Sequence, residues 1–231
     1  LKGTDMFEDY IGCLIKDLRT YEQTLSQHKL TSIFIGGGTP SLFTPEQLEP
    51  LFTLIKSYQC IDNIEVTIEA NPGSRDISSF RGYRELGINR ISIGGQSFNS
   101  GLLSKIGRIH DSNGTHDAIQ TALNAGFKRI NLDIMYGLPN QTLDQAINDL
   151  DAFLEYNLEH LSWYQLNIEA NTLFAAKRPE LPSEYTIDEI DEIGSKRLTD
   201  SGYNQYEISA WTNKLPSAHN LNYWLFGDYI G

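Results

Sequence analysis

The chain has 231 residues, of which 40% are hydrophobic and 21% are charged, the composition of a soluble globular protein. Thirty Asp and Glu residues against eighteen Lys and Arg give a formal net charge of −12 at pH 7, which disfavours binding to nucleic acid and to anionic membranes. The sequence contains no apolar run of about 18 residues, so no transmembrane helix is predicted, and the first residues do not form a secretory signal. The only cysteines, Cys13 and Cys60, form neither a disulfide framework nor a metal site, which favours a cytoplasmic location.

The spacing of apolar residues predicts a chain that begins with a helix, a strand and a second helix. The first helix covers residues 5–19, and Ser32–Ile35 form a short strand. Thr44 is the expected N-cap of the second helix, with Pro45 in its first position and Gln47 completing a capping box. This order starts an alternation of strands and helices.

The alternation continues to the end of the chain and is typical of a parallel α/β sheet. The further predicted strands cover residues 65–70, 90–93, 129–135, 161–168 and, as the last candidate, 206–210. The helices between them are expected around residues 80–86, 118–123, 143–154 and 187–198, with Gly87, Gly126 and Gly202 closing three of them. Thr142 and Gln145 are expected to form a capping box at the start of the third. Residues 171–185 contain prolines and are interpreted as a loop. About six strands result, which allows a doubly wound sheet or a barrel.

Polar residues follow the predicted strands, where ligands bind in parallel α/β folds. They are Gly36, Gly37, Gly38 and Thr39, then Glu69 and Asn71, then Gly94, Gly95, Gln96 and Ser97, then Asp133 and Gly137, and finally Asn167 and Glu169. We expect them to meet at one edge. Taken singly, the glycines also suit a tight turn, Glu69 a pair with Arg81 or Arg84, and Asp133 an ion pair or a helix cap, and these alternatives stay open.

One histidine differs from the others by its neighbours. His219 begins the run HNLNYW (219–224), outside any periodic element. Histidine is a common axial ligand of haem iron, and aromatic side chains can stack on a macrocycle. The alternative, which the residues alone favour, is a loop histidine beside packed aromatics. The remaining histidines are interpreted as ordinary polar residues: His28, His110, His116 and His160.

Seven segments in this order resemble the radical S-adenosylmethionine (SAM) family, in the branch of the oxygen-independent coproporphyrinogen III oxidases and the haem chaperones. The segments are FIGGGTPSL (34–42), IEANPG (68–73), RISIGGQSF (90–98), IGRIH (106–110), NLDIMYGLP (131–139), LSWYQL (161–166) and HNLNYWLFGDYIG (219–231). The HNxxYW marker resembles the haem chaperones, where it is associated with haem handling. It is matched by His219, Asn220, Tyr223 and Trp224.

The resemblance implies a set of SAM-binding residues: Gly37, Gly38, Thr39, Glu69, Gln96, Arg108 and Asp133. The two glycines with Thr39 would bind the methionyl amino group, and Glu69 would hold the ribose hydroxyls. Gln96 and Asp133 would complete the nucleoside pocket, while Arg108 would pair with the methionyl carboxylate. The HNxxYW residues would bind haem.

The chain departs from the family pattern in two ways. Gly95 stands where the family usually has a branched aliphatic residue, which is expected to loosen the strand end. The CxxxCxxC loop that holds a [4Fe-4S] cluster is absent, so we expect no metal ligands and no SAM cleavage from these 231 residues alone. We expect a partial (β/α)6 TIM-like barrel without its first strand and cluster loop, with a core over 1–211 and the start of a C-terminal region over 212–231.

The resemblance implies a haem chaperone that passes haem to haem-accepting proteins, with SAM and a [4Fe-4S] cluster supporting the transfer in the intact protein. Its expected partners are haem and haem proteins rather than nucleic acid; contact with a membrane surface and oligomeric state stay open. The alternative is an oxidase that decarboxylates two propionates of coproporphyrinogen III to give protoporphyrinogen IX, so whether the protein is an enzyme is also open. A third interpretation is a barrel enzyme that binds another nucleotide through GGGTP.

Overall fold

The computed structural model describes the backbone of residues 4–73 and 78–231, and the side chains in these ranges from residue 6 onward. The chain forms two compact units. The first unit comprises Leu1–Ile91, Thr121–Lys128 and Ser217–Gly231. The second unit comprises Ser92–Gln120 and Arg129–Pro216.

The first unit contains a parallel strand pair with helices around it. Its elements are α1 (Thr4–Thr20), α2 (Glu22–Gln27), β1 (Ser32–Ile35), a 3-10 turn (Pro40–Leu42), α3 (Pro45–Tyr58), β2 (Glu65–Ala70), α4 (Phe80–Leu86) and α10 (Ala218–Trp224). Strands β1 and β2 run parallel, with Ser32 opposite Glu65 and Phe34 opposite Thr67. The strand β3 (Arg90–Gln96) begins in this unit beside β2 and continues into the second unit.

The second unit continues the alternation and ends in a hairpin. Its further elements are α5 (Ser100–Lys105), α6 (Ser112–Asn124, whose last turn belongs to the first unit), β4 (Arg129–Tyr136), α7 (Leu143–Glu155), β5 (His160–Gln165), α8 (Leu173–Lys177), α9 (Glu184–Asp200), β6 (Asn204–Gln205) and β7 (Ala210–Thr212). Within this unit the strand order is β3-β4-β5-β7-β6. Strands β4 and β5 are parallel, with Asn131 opposite His160, whereas β7 is antiparallel to both β5 and β6.

Local sequence signals set the helix ends. Thr44 Oγ1 accepts from the Gln47 N–H at 3.3 Å, and Gln47 Oε1 accepts from the Thr44 N–H at 2.9 Å, which is the predicted capping box. The same reciprocal pair joins Thr142 and Gln145 at the start of α7. Gly87 follows α4 with φ of 105°, a conformation that glycine adopts without steric cost. These predicted ends are confirmed.

Strands β2 and β3 are buried on both faces, as parallel strands covered by helices are. Val66, Ile68, Ile91 and Ile93 are fully buried, and Leu132 on β4 is equally enclosed. Such burial of branched apolar side chains accounts for the short apolar runs that marked the strands. No described helix is long and apolar enough to cross a membrane.

Several predicted boundaries were wrong. Strand β3 continues to Gln96, three residues past the predicted end, and β5 stops at Gln165 rather than at residue 168. The predicted strand over 206–210 is mostly the connection of a hairpin, because the Tyr206 N–H donates to the Ala210 carbonyl at 3.1 Å and closes a turn. The predicted loop over 171–185 contains α8, which Thr172 caps by accepting from the Ala175 N–H at 3.0 Å.

Candidate functional site

The glycine run after β1 lies against the end of β2 in the first unit. The Gly37 N–H donates to Glu69 Oε2 at 3.2 Å, and Asn71 Nδ2 donates to Thr39 Oγ1 at 3.3 Å. Gly37 has φ of 104°, which favours glycine. A side chain at Gly36 would collide with the Phe34 ring and lie 3.2 Å from the Glu69 carboxyl carbon. Of the polar residues expected to meet at one edge, those that follow β1 and β2 are in contact with each other.

This arrangement suits a polar ligand with hydroxyl and amino groups. A Cβ built on Gly37 or Gly38 meets nothing within 4 Å among the described residues, so a ligand can approach the bare backbone there. The half-buried Glu69 carboxylate has two oxygens and can accept from hydroxyls in addition to Gly37. Of the alternative partners considered for Glu69, Arg81 pairs with Glu85 at 3.3 Å. The first unit's residues therefore fit the sugar and amino groups of SAM.

In the second unit, Gln96 ends β3 in a left-handed conformation with a buried amide. Its φ is 61°, its side chain is 3% exposed, and Oε1 accepts no hydrogen bond from any described residue. A buried acceptor without a donor costs free energy, so the site fits a ligand that brings an N–H or O–H group.

The loop after Gln96 is held by a buried carboxylate. Asp149 on α7 accepts from Ser97 Oγ and from the Phe98 N–H, both at 2.7 Å. Burial raises the pKa of Asp149 to about 6, although both hydrogen bonds oppose that shift. The Asp149 carboxylate therefore holds the backbone that follows Gln96, and its raised pKa lies in the mildly acidic range.

Gly95 does not loosen the strand. It lies inside β3 and is buried, and a Cβ there would stand 2.9 Å from both Leu132 Cδ1 and Thr115 Cγ2. Its carbonyl accepts from His110 Nε2 at 3.1 Å, and burial of that imidazole is the main cause of its lowered pKa. A branched residue is excluded here because neighbouring side chains already fill the space.

Asp133 is held by a chain of hydrogen-bonded side chains that includes Asn131, His160 and Tyr206. Asn131 Nδ2 donates to Asp133 Oδ1 at 2.8 Å, and Ser92 Oγ donates to Asp133 Oδ2 at 3.4 Å. His160 Nδ1 donates to Asn131 Oδ1 at 2.6 Å, which fixes the amide so that its NH2 group faces Asp133. Tyr206 Oη then donates to His160 Nε2 at 2.7 Å. Because Asp133 lies within β4, it is not a helix cap.

Arg108, the residue implied for the methionyl carboxylate, lies in the turn after α5 in the second unit. Its N–H donates to the Leu103 carbonyl at 3.0 Å, and its side chain is half-buried. The guanidinium is close enough to His110 to lower the pKa of that imidazole. The structure thus gives Gln96, Arg108 and Asp133 defined positions in one unit, and Gly37, Thr39 and Glu69 in the other.

His219 lies on a helix rather than in a loop, so the expectation that it falls outside regular structure was wrong. Ser217 caps α10, a helix of seven residues that is too short to show apolar periodicity. The imidazole stacks on the Phe34 ring with centroids 4.0 Å apart and planes at 7°, and the Tyr223 ring lies 4.9 Å from it at an angle of 87°. Asn220 is half-buried, whereas Tyr223 and Trp224 are each 46% exposed.

The surroundings of His219 keep its imidazole neutral near pH 7. Burial lowers the pKa of His219; the Glu65 carboxylate opposes this and the Arg90 guanidinium adds to it. The neutral ring has a nitrogen lone pair, which is the form that binds metal ions. A half-buried neutral histidine in contact with two aromatic rings fits an axial ligand of haem iron.

The residues of this chain do not fit an iron–sulfur cluster. No group of three or more His, Cys, Asp or Glu side chains in the described ranges is arranged to hold a metal. The two cysteines of the chain are both exposed and free, and the family motif needs three thiolates.

Sequence reasoning missed the groups that hold these residues in place. Phe34 and Glu65 contact His219, and Asp149 holds Ser97 and Phe98, the two residues that follow Gln96. Glu65 and Asp149 gave no distinct signal, because β2 also contains Glu69 and α7 also contains Asp144 and Asp151. Phe34 gave none, since a phenylalanine in a strand is ordinary core.

Comparisons with known proteins identify the family of the chain. The model of the radical SAM superfamily matches residues 15–153. The chain is 48% identical to the heme chaperone HemW of Haemophilus influenzae, covering 96% of this chain and 60% of that protein. It is 43% identical to the heme chaperone HemW of Escherichia coli, covering 100% of this chain and 62% of the relative.

A solved structure matches the fold. The chain superposes on coproporphyrinogen III oxidase (HemN) from Escherichia coli, a radical SAM enzyme, with a TM-score of 0.81 and 26% identity over 92% of this chain and 50% of that one. The predicted α/β fold, part of a TIM-like barrel, is confirmed by this match and by the parallel strand pairs. The chain spans about 60% of the curated relatives it matches. Because the family model covers more than half of its residues, the chain belongs to the radical SAM superfamily.

Proposed function

We propose that this chain is the SAM- and haem-binding part of a haem chaperone, which binds haem and delivers it to haem-dependent proteins. The observation that carries the proposal is the half-buried imidazole of His219, which stacks on Phe34 and lies beside Tyr223. Identity of 48% and 43% to two heme chaperones supports it. In this proposal the core ends at residue 211, and residues 212–231 begin a C-terminal region.

His219 is the axial ligand in this proposal, and its neighbours shape the surface around the iron. The Phe34 ring limits rotation of the imidazole, so that one nitrogen keeps a constant direction. Tyr223 and Trp224 present partly exposed rings, which suit contact with the flat apolar face of a porphyrin. Asn220 would hydrogen-bond to a polar edge of the bound haem.

SAM is the second proposed ligand, and in the intact protein it would act together with a [4Fe-4S] cluster held outside these 231 residues. When bound, SAM supplies a sulfonium whose bonds the family cleaves reductively. The backbone carbonyls of Gly37–Thr39 would accept hydrogen bonds from the methionyl amino group and so orient it. Glu69 would accept hydrogen bonds from the ribose hydroxyls. Gln96 Oε1 and Asp133 would accept from the nucleoside, and Arg108 would pair with the carboxylate.

The setting proposed for this activity is the cytoplasm, with haem-accepting proteins as partners. The net charge of −12 disfavours nucleic acid and anionic lipid surfaces as partners. Any contact with a membrane would then be peripheral and would follow from the haem-accepting protein.

A second candidate function is the decarboxylation of coproporphyrinogen III. It is favoured by the TM-score of 0.81 to the HemN oxidase. The proposed SAM residues serve either function, and His219 separates them, since the oxidase reaction needs no haem ligand.

The experiment is a haem titration of the full-length protein, followed by the Soret band, for the wild type and His219→Ala. We expect weaker haem binding by the variant with unchanged SAM affinity. The matched control is His28→Ala, which removes an exposed histidine and should bind haem as the wild type does. An unchanged titration of His219→Ala would remove the ligand role. Formation of protoporphyrinogen IX by the reduced, cluster-reconstituted protein would favour the oxidase.

A further inference from the structure

A single buried carboxylate holds the start of the helix that carries His219. Glu65 is the first residue of β2 and is 6% exposed. Its Oε1 accepts from Ser217 Oγ at 2.9 Å and from the His219 N–H at 3.1 Å, and its Oε2 accepts from the Ala218 N–H at 3.0 Å. All three donors belong to the N-cap and first two residues of α10.

These contacts decide where α10 begins. A helix of seven residues has little stability of its own, because nucleation is costly and few internal bonds follow. The first N–H groups of a helix have no partner inside it, and a carboxylate both accepts from them and favours the positive end of the helix dipole. Glu65 supplies this carboxylate from strand β2, so the position of β2 fixes the position of the first turn of α10.

Two neighbouring strands then fix one residue at two points. Glu65 on β2 binds the backbone of His219, and Phe34 on β1 stacks on its imidazole. Strands β1 and β2 are paired in parallel register, with Ser32 opposite Glu65 and Phe34 opposite Thr67. The distance between the two anchors is therefore set by the sheet and not by α10.

We propose that Glu65 is a positioning residue for the haem-ligating imidazole: it fixes the backbone of His219 so that the ring lies on Phe34 with one nitrogen aimed in a constant direction. This inference rests on the proposed function for its haem consequence. Glu65 itself does not contact haem and acts through the three hydrogen bonds. Its geometric part concerns residues of this chain alone.

The first test needs no haem. In the full-length protein, the stacked Phe34 ring shifts the His219 ring protons upfield in the NMR spectrum, and the Glu65 contacts protect the Ala218 and His219 amides from hydrogen exchange. For Glu65→Ala we expect loss of the upfield shift and exchange at least about tenfold faster, the factor expected for loss of a charge-assisted hydrogen bond. Glu65→Gln keeps one acceptor oxygen and should restore part of both signals. Glu85→Gln, on the exposed side of α4, is the matched control and should match the wild type.

The second test measures haem. We expect Glu65→Ala to release haem about tenfold faster and to broaden the Soret band, with Glu65→Gln intermediate and Glu85→Gln unchanged. If Glu65→Ala does not fold, Ser217→Ala removes one donor and carries the test, with a smaller expected effect in the same direction.

The outcomes separate this inference from the proposed function. If Glu65→Ala has the amide exchange rates and ring shifts of the wild type, the positioning role is overturned, regardless of the rate at which the variant releases haem. Altered exchange and ring shifts with an unchanged haem release rate would also overturn it. If His219→Ala binds haem normally, the proposed ligand fails, while the ring-shift result still decides whether Glu65 positions the imidazole.

Discussion

The imidazole of His219 lies flat on the phenyl ring of Phe34, with centroids 4.0 Å apart and an angle of 7° between the planes. The two residues come from opposite ends of the chain and meet within one unit. The same phenyl ring lies so close to Gly36 that any side chain there would collide with it. Phe34 therefore contacts both the glycine run proposed for SAM and the histidine proposed for haem.

Phe34→Leu should weaken haem binding without unfolding the protein. Leucine keeps most of the apolar volume but offers no flat face, so the imidazole gains rotational freedom. Stacked aromatic pairs contribute about 0.5–1.5 kcal/mol, which corresponds to a roughly two- to tenfold loss of haem affinity. A Soret titration measures this. Phe43→Leu removes a ring that packs on Phe7 and Tyr10 and should leave haem affinity unchanged.

Gly36→Ala should affect both proposed ligands. The new methyl group would displace the Phe34 ring and press on the Glu69 carboxyl group. We expect weaker binding of SAM and of haem, measured by calorimetry and by Soret titration. In the double variant with Phe34→Leu the collision is relieved, so SAM affinity should recover while haem affinity stays low. Additive losses of SAM affinity would show that the two residues are not coupled.

Gly95→Val tests why the chain has glycine inside β3. A valine Cβ would stand 2.9 Å from Leu132 Cδ1 and from Thr115 Cγ2. Overpacking of this kind costs about 1–3 kcal/mol, which urea denaturation measures. Leu132→Ala opens space on one side, so the double variant should lose less than the sum of the two single changes. Gly12→Ala, at a helix position where a Cβ meets nothing within 4 Å, should not destabilise.

Gln96→Met should shift stability and SAM affinity in opposite directions. The buried Oε1 of Gln96 has no donor among the described residues, so an apolar side chain of similar length removes a cost in the unliganded state. Thermal unfolding without ligand should show equal or higher stability, by up to about 1 kcal/mol. SAM affinity, measured by calorimetry, should fall about tenfold. A parallel loss of stability would indicate that Gln96 has a structural role instead.

Asp149 makes stability depend on pH in the mildly acidic range. Burial raises the pKa of Asp149 to about 6 in the folded state, against about 3.9 for an unfolded aspartate. Between these values the folded state binds more protons, so the free energy of unfolding falls as pH rises from about 4 to 6, by roughly 3 kcal/mol at most. Asp149→Asn should remove this slope, measured by urea denaturation across the range. Asp144→Asn, exposed on the same helix, should retain it.

Much of the fold could be predicted because its signals are local. The Thr44 and Thr142 capping boxes and Gly87 act within a few residues of themselves, and the structure has each of them where it was predicted. The β6–β7 hairpin could not be predicted in the same way. Its turn depends on backbone bonds between residues 206 and 210, in a segment whose composition also suits a strand.

The sequence indicates which residues belong to the candidate site, but it does not indicate which other groups hold them in place. The motif positions Gly37, Glu69 and His219 carry chemistry that a pattern can reveal. Their supports are contacts across long stretches of chain, such as Glu65 with residues 217–219, and periodicity contains no information about such pairs. For the same reason α10 was missed, since its first turn is stabilised from β2.

Glu65 and the His219 amide are separated by 154 positions along the chain. Contacts of this span form late, because closing a long loop costs entropy before the contact returns any stabilisation. During synthesis, β1 and β2 emerge from the ribosome well before residues 217–219. The hydrogen bonds of the Glu65 carboxylate to these residues can form only after they have been synthesised. The imidazole therefore reaches its place on Phe34 only after most of the fold around it exists, and a nascent or partly folded chain lacks the arrangement that we propose binds haem.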